Sequence, residues 1–279
     1  EVEQGRRHEV AQERCRDRRV VDLARGALQP REPVLRCREV PAGEVQGRGG
    51  AKLVSTLGKK KVTIITVKND FGQALAAGFK EAAPKFGLQI TGEYEYGMAD
   101  RQFGAVVSKV KADAPEVIYA SGYFFNAGPL VSQLRAAGIT APIIGQEGYD
   151  SDKFIEIAGA ASEGTLVTTS LDRDSDVPAT KAFLADYRKA NNAGADMVAA
   201  ASFTATSVLI EGLKKSGGKG GDALRAAMAG GTYVTPIGKL TFNSLNEVAK
   251  DIQVQVVKDK AFRRHSVIAD AVLLAPPTK

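Results

Sequence analysis

Val117-Ile118-Tyr119-Ala120-Ser121-Gly122-Tyr123 and, one helix length further on, Ile143-Ile144-Gly145-Gln146-Glu147-Gly148-Tyr149 decide how the rest of the chain reads. Each is a short apolar run entering a glycine-bearing loop, with helical sequence expected after it. Runs of this length bounded by turn residues read as buried strands. In an open parallel α/β sheet, ligands bind beyond the carboxyl ends of such strands. The two loops carry two tyrosines, a carboxylate and flexible backbone. They outline a small-molecule site.

Outward from this pair, the same rhythm covers 51–170. Lys52 to Leu57 reads as a helix tail closed by Gly58. Val62-Thr63-Ile64-Ile65-Thr66-Val67 is β-branched and nearly continuous, the composition of a strand covered on both faces. Asn69-Asp70 can cap a helix carrying Phe71, Leu75 and Phe79, which Gly87 ends, and Leu88-Gln89-Ile90 opens a second strand. Phe103, Val106, Val107 and Val110 mark a helix stopped before Pro115. Leu130, Val131 and Leu134 mark another; Asp150-Ser151 caps a third, and Gly164–Thr168 is the fifth strand. Strands and helices alternating at these lengths predict a parallel sheet with right-handed crossovers, an α/β fold.

From Val177 the rhythm changes. Pro178 opens a helix, Ala195–Lys215 forms a longer one with Val198, Phe203, Val208, Leu209 and Leu213 on its apolar face, and Ala223–Met228 forms a third. Ile237–Phe242 and Ile252–Val257 read as strands, with Gln253 and Gln255 expected to alternate outward. Three helices and two strands do not close a domain by themselves, so this half needs a sheet that the sequence does not obviously contain.

The composition bounds the function. The 279 residues correspond to roughly two domains. A net charge of +6 invites a polyanion partner, but no Lys/Arg run interleaved with aromatics accompanies it, so nucleic-acid binding is not expected and the surface is read as solvated and basic. No apolar stretch reaches the eighteen or so residues of a membrane span, and Glu1-Val2-Glu3-Gln4 does not open a signal peptide. Residues 1–50 stand apart. They hold eleven Arg, no Lys, no aromatic residue and both cysteines, Cys15 and Cys37. Apart from a short helix around Val20–Ala24, such a segment has little to bury against the entropy of ordering it. It reads either as a disordered basic arm or as a stretch translated out of frame. Cys15 and Cys37 lack zinc partners, His8 being the only nearby imidazole.

Catalytic chemistry finds no support. The two histidines, His8 and His265, form no triad, and GxSxG, CxxC and HExxH are absent. Gly217–Gly221 lacks P-loop spacing, and Gly47-Arg48-Gly49-Gly50 follows no expected strand, so neither reads as a nucleotide loop. No cofactor or metal is expected. Glu147, just past the fourth strand, is either a solvated loop acid or a carboxylate that receives a ligand ammonium, a contact of ~1.5–3 kcal/mol. Tyr123 is either packed or a pocket wall, and Phe71 either core or a second wall. Ser121 and Gly122, in the same loop as Tyr123, complete the candidate ligand-binding set.

KKVTIITVKNDFGQALAAGFKEAAPKFG, DRQFGAVVSKVKADAPEVIYASGYFFNAG and APIIGQEGYDSDKFIEIAGAASEGTLVTT together resemble the leucine/isoleucine/valine-binding family, the solute-binding proteins of branched-chain amino-acid ABC transporters. The resemblance runs from about Ala51 to Lys258. It implies two Rossmann-like lobes of a type I periplasmic binding protein, one nearly complete (51–170) and the other present only as its remainder (171–258), followed by a tail (259–279). By resemblance Glu147 holds the ligand ammonium, while Tyr123 and Phe71 line the pocket. The ligand would be a branched-chain or related amino acid, or an amide, and the partner a membrane permease. The protein would be periplasmic, non-enzymatic and not itself membrane-spanning. The family's leading strands, which grip the ligand carboxylate, have no counterpart in residues 1–50. The alternatives are therefore a truncated or frameshifted non-functional product, or a ligand-sensing module of the same fold.

Overall fold

The structure, a computed structural model, describes residues 40–244 and 246–276. The chain divides into two units, 1–36 and 37–279, and every described residue belongs to the second. The Arg-rich stretch up to residue 39, with His8, Cys15, Cys37 and the helix expected near Val20–Ala24, lies outside the described residues.

Seven strands form one sheet in the order β2 (Gln89–Tyr96), β1 (Lys61–Val67), β3 (Val117–Ala120), β4 (Ile143–Gly145), β5 (Leu166–Thr169), β8 (Ile252–Lys258) and β9 (Ala261–Ile268). The first five are parallel, as the strand–helix alternation predicts. β8 then pairs antiparallel with β5, and β9 antiparallel with β8. The strand expected at 252–257 thus joins the sheet of 51–170, and the segment after residue 258 supplies the edge strand. A separate hairpin pairs β6 (Thr232–Thr235) with β7 (Gly238–Thr241).

The helices begin and end where local chemistry allows. α1 (Gly43–Thr56) crosses position 51 and starts eight residues before it. It closes in a Schellman arrangement: Gly58 N–H donates to Ser55 O and Lys59 N–H to Val54 O, with Gly58 at φ 68°. Asn69 Oδ1 caps α2 (Asp70–Ala82) by accepting the Gly72 N–H at 2.9 Å. α3 (Gly104–Asp113), α4 (Phe124–Ala136) and α5 (Asp152–Ala158) follow their strands. α1 and α2 cover one face of the sheet, over Val62, Ile64, Val117 and Tyr119, with Leu273 and Leu274 beside them. The other face packs Ile65, Ile118, Ile143 and Val167 against Phe103, Leu130, Leu134 and Phe154. Arg48 holds the tail in place, donating to Leu273 O at 2.7 Å and Ala275 O at 2.6 Å.

Two expectations need correction. Gln255 does not face outward: it is 1% exposed, its Oε1 accepts from Arg173 Nη1 at 3.0 Å, and its amide nitrogen donates to Leu171 O. β8 keeps its alternation and pairs along β5 without a slip, but both of its faces are covered: Ile252 and Val254 pack on the α1–α2 side, while Gln255 shares the opposite face with Val257. The second correction concerns α7 (Met197–Lys215), which by length and composition alone is apolar enough to cross a membrane. Its serines, threonines and glycine had disguised that. In the structure it packs Ala200 and Ala201 with Leu171, Phe183 and Ile237 of α6 (Pro178–Asn191) and the adjoining loops. Val198, Phe203, Leu209 and Ile210 remain exposed. α8 (Gly221–Ala229) closes this region.

Candidate functional site

At the carboxyl ends of β3 and β4 the two loops lock together through backbone. Tyr96 Oη donates to Ser121 O at 2.6 Å, and Ser121 Oγ accepts the Val67 N–H at 3.0 Å. The Gln146 amide donates to Ala120 O. Gly148 lies so close to the neighbouring loop that a Cβ there would stand 2.0 Å from Gly122 O. Any side chain would force the loops apart. The turn Glu147–Tyr149 is therefore held against the Ser121–Tyr123 loop.

Glu147 points inward and is 6% exposed. Ser170 Oγ donates to its Oε1 at 2.9 Å, and the Gln46 side chain supplies a further hydrogen bond. Burial pushes the Glu147 carboxyl up to about 7, against the downward pull of those two hydrogen bonds and of Lys250; the Asp150 charge adds to the rise. Lys250 is pulled the opposite way: desolvation lowers it to about 8, opposed by Glu147 and Asp251. Its ammonium donates to Ile237 O. A carboxylate poised in this way gains from any cation that can reach it, because desolvation is the larger cost of its ionised form.

Glu147 and Phe71 share the wall of a cavity of about 440 Å³, together with Pro41, Gln46, Asp70 and Ala74. Tyr123 stands behind Phe71, with ring centroids 5.4 Å apart, and stacks on Phe125 at 5.6 Å. Its hydroxyl accepts from Asn69 Nδ2 at 3.3 Å, so one asparagine both caps α2 and positions this ring. The structure thus brings Glu147 and Phe71 to one cavity and places Tyr123 in the second layer. Ser121 and Gly122 belong to the frame: Ser121 is 1% exposed with its oxygen occupied, and a Cβ on Gly122 would meet Tyr96 Oη at 2.0 Å.

Gln46 was not among the expected residues. It lies on α1, inside the stretch whose composition reads as foreign. The signal lay in the spacing of Val45, Gly49 and Leu53, which extends the helix backward from Lys52 on one buried face. α1 reaches the site because glycines let it press onto α2. A Cβ on Gly47 would lie 2.2 Å from Leu75 O, and one on Gly78 would lie 2.0 Å from Glu44 O. Gly47, Gly49 and Gly50 are packing glycines of a helix, not a nucleotide loop.

Below the site, a buried ion pair ties the same elements together. Asp150 pairs with Arg173, accepts from Thr169 Oγ1, and lies 2% exposed. Arg173 also covers the Phe262 ring at 4.8 Å. The loop after β4, the end of β5, the segment leading to α6, and both antiparallel strands thus share one network.

Comparison with known proteins places this arrangement. The periplasmic binding protein family model matches residues 34–261. The leucine-, isoleucine-, valine-, threonine- and alanine-binding protein of Pseudomonas aeruginosa is 26% identical over 212 residues, covering 76% of this chain and 57% of that protein. The chain spans little more than half the length of the curated relatives it matches. Among solved structures, a leucine binding protein from Thermotoga maritima aligns with a TM-score of 0.76 at 24% identity, over 81% of this chain and 65% of that one. A branched-chain amino acid transporter substrate binding protein from Streptococcus pneumoniae, in complex with isoleucine, aligns with a TM-score of 0.71 at 22% identity, over 82% and 64%. At these identities the structural likeness establishes the fold.

Proposed function

The chain belongs to the periplasmic binding protein family, and on that premise we propose that it serves as the solute-capturing component of an ABC transporter, taking an amine-bearing small molecule of the branched-chain amino-acid class without chemical conversion. One observation carries the reading: a carboxylate 6% exposed, Glu147, stands beyond a parallel strand on the same cavity wall as Phe71. The carboxylate would answer the ligand ammonium, and the Phe71 ring, backed by Tyr123, would cover its aliphatic part. The proposed site of action is the periplasm and the proposed partner a membrane permease, both following from the family.

Calorimetric titration with leucine, valine, alanine and small amides tests this directly. Binding by the parent, weakened about thirtyfold or more in Glu147→Gln, is the expected result. Equal affinity in the two proteins would move the site elsewhere. Absence of binding by the parent to every amine and amide would refute capture by this chain.

A further inference from the structure

α1 carries a second polar group into the same cavity, and its carbonyl oxygen is unpartnered among the described residues. Gln46 is 3% exposed and lines the wall beside Glu147. Its Nε2 donates to Pro41 O at 3.3 Å, while its Oε1 has no hydrogen-bond partner among the described residues. An unpaired buried carbonyl costs free energy that native structures normally avoid. The helix that holds it cannot easily turn away, because Gly47 and Gly78 leave backbone against backbone between α1 and α2. Among the described residues the cavity wall adds two further carboxylates, Glu44 and Asp70, and no basic side chain. Lys250 acts on Glu147 as well, but its ammonium is engaged by Ile237 O and is not part of this wall. Two buried acceptors, an acidic rim and an aromatic face describe a receptor for a cation with several N–H bonds.

We infer that Gln46 is a specificity-determining residue, whose Oε1 accepts one N–H of a primary ammonium while Glu147 accepts another. The inference rests on the proposed capture of an amine and goes further, by selecting among amines. A primary ammonium offers three donors and can satisfy both acceptors together. A trimethylated nitrogen carries the same charge but no donor, so it leaves Gln46 Oε1 unpaired and Glu147 with a charge contact alone. A carboxylate of the same shape meets Glu44, Asp70 and Glu147 and is repelled.

The test is an NMR titration of the full chain with 3-methylbutylammonium, its N,N,N-trimethyl analogue and 4-methylpentanoate, read at the amides of Gln46, Phe71 and Glu147. The primary amine should give saturable shifts, the trimethylated cation should bind about tenfold or more weakly, and the carboxylate should give none. Gln46→Met keeps length and helix propensity and removes the acceptor. It should reduce the preference for primary over trimethylated amine towards unity, a ratio that a merely structural role of Gln46 would not move. Equal binding of the two cations by the parent protein overturns the inference even if the variant does not fold. An unchanged ratio in Gln46→Met also overturns it, as does the absence of any response to the amines. Leucine added to the same parent sample separates the two ideas: binding of leucine without primary-amine selectivity leaves amino-acid capture standing and removes only the role of Gln46.

Discussion

Replacing Glu147 by Gln should stabilise the folded protein at neutral and alkaline pH, and the effect should vanish in mild acid. The carboxyl titrates near 4.5 when free and at about 7 in the fold, because burial penalises its charged form. Between those values the native state holds more protons than the unfolded chain, so this group makes stability fall as pH rises. Its favourable contribution is complete below 4.5 and is lost as pH passes through 7. The gap between the two values corresponds to about 3 kcal/mol at pH 8. A glutamine is neutral throughout and can still accept the Ser170 hydroxyl, so it escapes this cost. Urea unfolding of both proteins should therefore show little difference at pH 5. At pH 8 the variant should be more stable by up to ~3 kcal/mol, or roughly 5–10 °C in Tm. The same substitution should impair ligand capture, which separates stability from function. If the two proteins keep a constant stability difference from pH 5 to 8, Glu147 titrates normally and is not desolvated as described. If the variant is less stable at pH 8, the Lys250 charge outweighs the desolvation of its partner.

Two further substitutions probe the frame that holds the site. Gly47→Ala places a methyl 2.2 Å from Leu75 O and 2.6 Å from Phe79 N, backbone atoms that cannot swing aside. Overpacking of this kind should cost ~1–3 kcal/mol in chemical denaturation and displace Gln46, and a neutral result would mean that α1 does not press on α2. Asp150→Ala leaves Arg173 buried beside Phe262 without its carboxylate, with an expected loss of ~3–5 kcal/mol. The double variant Asp150→Leu with Arg173→Met should recover most of that, as read by the same unfolding curves.

Local pattern alone determined the five parallel strands, the caps at Asn69 and Ser151, the glycine stop at Gly58 and the position of Glu147 beyond β4. These features are legible because each depends on neighbours in sequence: β-branched runs, capping side chains and left-handed glycines act over a few residues. Phe71 was legible for the same reason, as the first aromatic of a capped helix. What only the tertiary structure decided depends on partners far along the chain. β9 carries Arg263, Arg264 and His265 in a row, a pattern unlike a strand, and is held there by β8 and by Asp172 and Asp174. Gln255 is buried because the second face of β8 is covered as well, by Arg173 and the Leu171 carbonyl of a distant segment, which no periodicity within β8 records. Gln46 reaches the cavity because glycines on two helices, thirty-one residues apart at Gly47 and Gly78, remove the side chains that would hold those helices apart. Composition describes what a segment contains, whereas close approach depends on what it meets.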